Sequence, residues 1–182
     1  MKHKFIVIEG LSGSGKTAVS TRLAEVLNGT YYKAPTEPLS ILREYVDKVM
    51  TSQTRALYYL MSISHLSDTI ERNISKGHII VDKYIYTTIA FNKVRNLDIE
   101  IPKFISLCKP DFLFYLEVDD KIREERLSNR NNTFYKRSQE KMDKDKKVAD
   151  AFKQFNFISI PNNGPVEEAV DRILDILKSL EK

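Results

Sequence analysis

Apolar positions along the chain fall in short blocks that alternate between two spacings. Phe5-Ile6-Val7-Ile8 is a continuous β-branched and aromatic run ending at Glu9, which predicts a buried strand stopped by a glycine-rich turn. Over residues 18–27 the spacing turns helical, through Val19, Leu23, Val26 and Leu27, and Asn28-Gly29 ends it. Residues 31–34 predict a second strand cut by Pro35. Helices are expected over 39–50 and over 54–76, the second stopped at Gly77. A third strand over 79–82 precedes a helical pattern through Ile89, Ala90 and Val94. A fourth strand is expected over 111–118, then a helix over 121–129, a loop tip over 131–135 and a polar helix over 138–152. A fifth strand over 155–160 ends at Pro161-Asn162-Asn163-Gly164, and an amphipathic helix over 166–180 follows. Strands alternating with helices predict a five-stranded parallel sheet covered on both faces by right-handed crossovers. Ligands in such sheets bind at the carboxyl ends of the strands.

Composition narrows this picture. At 182 residues the chain predicts one domain over 1–182, and 42% hydrophobic with 30% charged residues fits a globular protein. No apolar run approaches the ~20 residues that cross a bilayer, and the stretch after Met1-Lys2-His3-Lys4 stops at Glu9, too early for a signal peptide. The single cysteine, Cys108, can form neither an internal disulfide nor a CxxC metal site. A cytoplasmic protein without membrane partners is expected. The net charge of +4 is unevenly placed: residues 121–147 hold ten basic and five acidic side chains, so this segment is +5 and the remainder −1. Such a segment suits a nucleic acid, a phosphorylated small molecule or a solvated helix face.

Gly10-Leu11-Ser12-Gly13-Ser14-Gly15-Lys16-Thr17 matches G-x-x-x-x-G-K-[ST], follows an apolar strand and opens a helix, as a P-loop must. Its glycines let backbone N–H groups turn toward phosphate oxygens, and the helix running on through Ala18 adds its positive end. Lys16 is expected to reach the β- and γ-phosphates of ATP, and the Thr17 hydroxyl to be a ligand for Mg²⁺. An Asn-Lys-x-Asp guanine motif is absent from the sequence, and motor or transport ATPases are usually longer. A short chain with a basic excursion before its last strand suits a nucleotide or nucleoside kinase, the excursion acting as a lid that excludes water from the transfer.

The ordered set of segments resembles the thymidylate kinase family over nearly the whole chain. Phe5 through Thr17 resembles the family's opening strand and loop, and Thr36-Glu37-Pro38 its Arg-Glu-Pro segment. Asp82-Lys83-Tyr84 with Thr87, Ala90, Phe91 and Asn92 is similar to Asp-Arg-Tyr-x-x-Ser-x-x-Ala-Tyr-Gln. Glu125-Arg126-Leu127 and Arg130 resemble the Arg-Leu-x-x-Arg lid entry, and Gly164 to Glu168 the start of the last helix. The resemblance implies a three-layer α/β/α P-loop NTPase fold with a helical lid at about 130–147. It implies transfer of the ATP γ-phosphoryl group to thymidine monophosphate, with Mg²⁺, in a homodimer that binds no nucleic acid.

It also assigns roles. Arg126 is expected at ATP, and Asp82 at the metal or the acceptor. Glu37, Arg43, Tyr58, Lys83, Tyr84, Thr87 and Asn92 are expected at the acceptor. Leu11 to Ser14 contain no arginine, so the catalytic cation beside Lys16 is expected from the lid, at Arg130 or Arg137. Three departures stand out. Ser12 occupies a position often acidic in the family. Lys83 replaces an arginine, so a fork becomes a point charge. The base-reading Phe-x-x-x-Arg falls on Tyr58 and Ser62, which predicts loosened base selectivity. Two other readings compete: a deoxynucleoside kinase whose acceptor is a 5′-hydroxyl, and a nucleic-acid-binding protein using 121–147.

Overall fold

The computed structural model describes residues 3–97, 101–103, 105–131 and 139–179, with the side chains of 130–131 and 139–142 left aside. Five strands, β1 (Phe5–Glu9), β2 (Thr30–Lys33), β3 (Ile79–Asp82), β4 (Phe112–Glu117) and β5 (Ile158–Pro161), form one sheet in the order β2-β3-β1-β4-β5. Every neighbouring pair is parallel, with Ile6 opposite Ile80 on one side and Phe112 on the other. Among the described residues, seven α-helices connect or follow the strands: α1 (Lys16–Val26), α2 (Arg43–Val49), α3 (Ser52–Asn73), α4 (Ile85–Val94), α5 (Asp120–Asn131), α6 (Gln139–Phe152) and α7 (Val166–Ser179). This is the three-layer α/β/α architecture expected.

Alternation along β1 explains why its sequence is apolar throughout. Ile6 and Ile8 enter a core with Val19 and Leu23 of α1 and Val170 and Ile173 of α7. Phe5 and Val7 face the opposite core, with Leu60, Ile63, Leu66 and Ile70 of α3. Both faces of the strand are therefore dry. A third apolar cluster joins Ala90 of α4 to Val148, Ala151 and Phe152 of α6.

Element boundaries shift where local chemistry outweighs pattern. Helix α1 starts at Lys16 rather than Ala18, because Gly15 caps it at φ 89, a conformation few other residues adopt. The segment expected as one helix over 39–50 is a 3-10 turn, Leu39–Leu42, followed by α2. Helix α3 begins at Ser52, where the Thr51 hydroxyl accepts from the Thr54 N–H at 3.3 Å. It ends at Asn73, and the Lys76 N–H closes a turn onto the Asn73 carbonyl. Asn131 continues α5 instead of opening a loop, and the rest of that expected loop tip, 132–135, lies outside the described residues. Strand β5 starts at Ile158, not Phe155. The Phe155 and Phe157 rings pack on Tyr86, at centroid distances of 5.1 and 5.7 Å, and the intervening backbone bonds to itself instead of to β4.

Candidate active site

The carboxyl end of β1 runs straight into the P-loop. Lys16 folds back into the loop and donates to the carbonyls of Gly10 at 2.8 Å and Leu11 at 2.6 Å, and to the Ser14 hydroxyl at 3.3 Å. Its ammonium occupies the seat that phosphate oxygens would take. Burial, then repulsion from Lys83, pulls its pKa down to about 7, against the opposing pull of Asp82 and Glu9. Two close contacts hold the loop. An added Cβ at Gly15 would lie 2.6 Å from Asn162 Nδ2, which donates to the Ser14 carbonyl at 2.7 Å. At Gly13, φ 81, a Cβ would stand 3.0 Å from the Arg123 carbonyl, so the loop crest lies directly on α5.

Arg123 is buried, with Nε donating to the Ser12 carbonyl at 3.1 Å. Its other nitrogens donate to Asp120 at 2.7 Å and to Asp145 of α6 at 2.6 Å. Arg126 donates to the Gly164 carbonyl at 3.2 Å and keeps Nη1 buried without a hydrogen-bond partner, beside Gly15. Ala18 is exposed in the first turn of α1.

Asp82 ends β3 and is fully buried. Its Oδ2 accepts from the Thr17 hydroxyl at 2.6 Å, while Oδ1 has no hydrogen-bond partner. A hydroxyl and a carboxylate with an orphaned buried oxygen are hard donors that fit Mg²⁺. Glu9, one strand over, accepts from the N–H groups of Tyr84 at 2.9 Å and Thr87 at 3.2 Å, and from the Thr87 hydroxyl. Burial raises its pKa to about 7 against those hydrogen bonds and Lys16. A carboxyl at the N-terminal end of α4 complements the helix dipole and aims the face of α4 that follows.

Beside the loop, a cleft of about 290 Å³ opens between α2, α3 and α4. Ser12 and Lys83 line its loop end with Thr87, and each helix presents one face at i, i+4 spacing: Arg43 and Asp47, Arg55 and Tyr59, Thr88 and Asn92, with Arg95 just past the end of α4. Lys83 holds φ 72, and burial lowers its pKa. Asp47 accepts from the Tyr59 hydroxyl at 3.0 Å and pairs with Arg43 at 3.5 Å and Arg55 at 4.0 Å. Asn92 is buried; Nδ2 donates to the Thr88 carbonyl and Oδ1 has no partner.

Of the residues expected at the acceptor, the cleft thus gathers Arg43, Lys83, Thr87 and Asn92, with Asp82 beside the loop. Three are elsewhere. Tyr58 is buried and donates to the Leu39 carbonyl at 2.7 Å, and the aromatic side chains that line the cleft are its neighbour Tyr59 and Phe91 of α4. Tyr84 packs edge-on against Phe5 in the core and reaches the site only through its N–H. Glu37 is exposed and accepts from the Ser40 hydroxyl. Ser62 is fully buried and bonds the Tyr58 carbonyl, so an arginine there would not point at a base. The Arg137 position and the side chain of Arg130 lie outside the described residues. Glu9, Asp47, Arg55, Tyr59, Arg95, Arg123 and Asn162 were not foreseen. Only Glu9, an acid closing a buried strand, carried a local signal; the others converge from separate helices and turns.

A thymidylate kinase family model matches residues 8–173. The chain is 30% identical to the "Probable thymidylate kinase" of Methanocaldococcus jannaschii over 98% of its own length and 97% of that protein's. Among solved structures it superposes on the thymidylate kinase of Candida albicans with a TM-score of 0.76, 19% identity, and 99% and 93% of the two chains covered. It matches a deoxyadenosine kinase of M. mycoides with a TM-score of 0.70, 20% identity, and 96% and 99% covered.

Proposed function

The chain belongs to the thymidylate kinase family, and from that premise we propose how its own residues transfer the ATP γ-phosphoryl group to thymidine monophosphate. One observation carries the reading: two anion seats meet at Ser12, the P-loop on one side and the Arg43 and Lys83 end of the cleft on the other. ATP phosphates would displace the Lys16 ammonium from the loop carbonyls and take its charge, with loop N–H groups and the α1 terminus around them. Arg126 and the turn at Asn162–Gly164 flank the nucleoside side of ATP. Thr17 and Asp82 would hold Mg²⁺, which when bound supplies charge neutralisation between donor phosphates. Arg43 and Lys83 hold the acceptor phosphate, Tyr59 faces the base, and Thr87, fixed by Glu9, with Asn92 lines the wall between. The remaining cation on the transferring group is assigned to the lid, to Arg130 or Arg137.

A nucleoside 5′-hydroxyl acceptor fits less well. It would leave Lys83, which Arg43 already repels, without the acceptor phosphate that offsets two neighbouring cations.

We place the enzyme in the cytoplasm. Among the described residues no helix is long and apolar enough to cross a membrane. We also read the chain as a homodimer, because Leu42, Tyr45 and Val49 of the 3-10 turn and α2, and Leu57 and Met61 of α3, are large apolar side chains left exposed.

The test is ADP release with ATP and Mg²⁺ against each common nucleoside and nucleoside monophosphate. Thymidine monophosphate is expected to be turned over. Turnover of thymidine with none of its monophosphate would transfer the assignment to a nucleoside kinase.

A further inference from the structure

Two peptide units of the P-loop are held by side chains from outside it. The Ser14 carbonyl accepts from Asn162 Nδ2 at 2.7 Å, and the Ser12 carbonyl from Arg123 Nε at 3.1 Å. In each unit the next residue is a glycine with positive φ, Gly15 at φ 89 and Gly13 at φ 81. Glycine takes either sign of φ readily, so the residues that let the loop form also leave these two peptide planes free to turn over. A planar trans peptide points its C=O and its N–H in opposite directions. Fixing the carbonyl therefore fixes the N–H: that of Gly15 is turned away from Asn162, and that of Gly13 away from Arg123. The Gly10 and Leu11 carbonyls, by contrast, are held from within, by the Lys16 ammonium that donor phosphates would displace.

Asn162 is placed for this contact. It lies buried in the turn between β5 and α7, and its backbone N–H donates to the Glu117 carbonyl at 2.8 Å, which anchors it beside the loop. A Cβ added at Gly15 would stand 2.6 Å from Nδ2, so the amide and a side chain at Gly15 could not share the space. The other end of the amide is left over, with Oδ1 buried and lacking a hydrogen-bond partner. Turned the other way, the amide would set Oδ1 against the Ser14 carbonyl, acceptor to acceptor, so the loop decides its orientation. Arg123 is buried too, and reaches Ser12 from the first turn of α5 with Asp120 and Asp145 holding its other nitrogens.

Resting on the nucleotide-kinase reading, we propose that Asn162 and Arg123 are positioning residues for phosphoryl transfer, holding the Ser14 and Ser12 carbonyls outward so that the Gly15 and Gly13 N–H groups face the donor phosphates. Each acts through one backbone peptide rather than on ATP itself. Donors aimed before the nucleotide arrives need no reorganisation as charge builds on the transferring group. The glycine-rich loop supplies the N–H groups; the first turn of α5 and the turn after β5 supply their direction.

The experiment reads the two amides directly. The chain has six glycines, so isotope labelling of glycine nitrogen gives a short, assignable magnetic-resonance spectrum. Inorganic pyrophosphate is the probe, because it needs no acceptor. In the wild type the Gly13 and Gly15 amide protons are expected to move downfield on pyrophosphate binding, as N–H groups do when they donate to a charged oxygen. Asn162→Leu, which keeps the volume and removes the donor, should abolish the Gly15 shift and keep that of Gly13, and Arg123→Met should do the reverse. Each variant should weaken pyrophosphate and ADP binding about tenfold to a hundredfold in calorimetry, the size of one hydrogen bond to a charged group. Thymidine monophosphate binding should stay unchanged. If Asn162→Leu does not fold, Asn162→Ala is read in its place. Loss of both shifts together in either variant means general loosening and overturns the proposal. Shifts and affinities that stay at wild-type values overturn it as well, as does a wild type whose two amides do not respond to pyrophosphate. Glycine shifts that separate as expected in a protein with no thymidine monophosphate turnover would sink the kinase reading and keep Asn162 and Arg123 as supports of a phosphate-binding loop.

Discussion

At the scale of single residues, Lys16 carries the most charge chemistry. Burial, with repulsion from Lys83, pulls its pKa down to about 7, so its charged form is held far less firmly than that of an exposed lysine. Nucleotide phosphates favour its charged form, so ATP binding at pH 8 should take up a proton. Calorimetry in buffers of different ionisation enthalpy reads this uptake directly, and Lys16→Ala should abolish it while lowering turnover at least about a hundredfold. Stability follows the same linkage. The unfolded chain keeps the Lys16 proton up to about 10.5 while the folded chain releases it from about 7, so this group's contribution to stability rises with pH across that window. Ser62 makes the contrary case. Placing arginine there buries an unpaired charge against α3's own core, and Ser62→Arg should cost on the order of 3–5 kcal/mol, read as a large fall in Tm, rather than sharpen base choice.

At the scale of elements, the loop crest, α5 and α6 meet at one guanidinium. Arg123 ties the Ser12 carbonyl to Asp145, so α6 is joined to the crest of the P-loop through one side chain. Removing the buried guanidinium withdraws the donor from the Ser12 carbonyl and two charge-assisted bonds to Asp120 and Asp145, the first of which is 63% exposed. Arg123→Met should therefore lose about 1–3 kcal/mol in urea denaturation and weaken ATP binding as well. If stability falls but nucleotide affinity is unchanged, the guanidinium is a structural tie and not a support of the loop. Helix α4 shows the same economy: Glu9 fixes its first turn, and three turns of one face then line the cleft.

At the scale of the whole molecule, the exposed apolar set on α2 and α3 predicts association. Leu57 is 67% exposed and Met61 49%, one turn apart on the same helix. Leu57→Glu should shift the mass in light scattering from that of the proposed dimer to that of a monomer while leaving circular dichroism unchanged. A wild type that is already monomeric at tens of micromolar would dismiss the surface as an interface. Because α2 and α3 also carry Arg43, Arg55 and Tyr59, a monomeric variant should also show weakened acceptor binding.

The order of strands and helices, the parallel sheet and the P-loop were legible in the chain itself, because each rests on local rules. A β-branched run buries on both faces, a glycine before a helix takes positive φ, and the Gly-Lys-Thr spacing leaves one place for a phosphate. Asp82 at the end of β3 was legible for the same reason. The base end of the cleft was not. Arg55 and Tyr59 are neighbours of Leu57 and Tyr58 in an apolar stretch of α3, and which of these turns outward depends on the rotation of the helix about its axis. That rotation is set by Ile63, Leu66 and Ile70 packing against the sheet, and a one-residue error of about 100° moves Tyr58 into the core and brings Tyr59 to the site. Arg95 and Asp47 join them only because α2 and α4 pack alongside. Local spacing determined the P-loop at the end of β1; the docking of three helices decided which side chains line the cleft beside it.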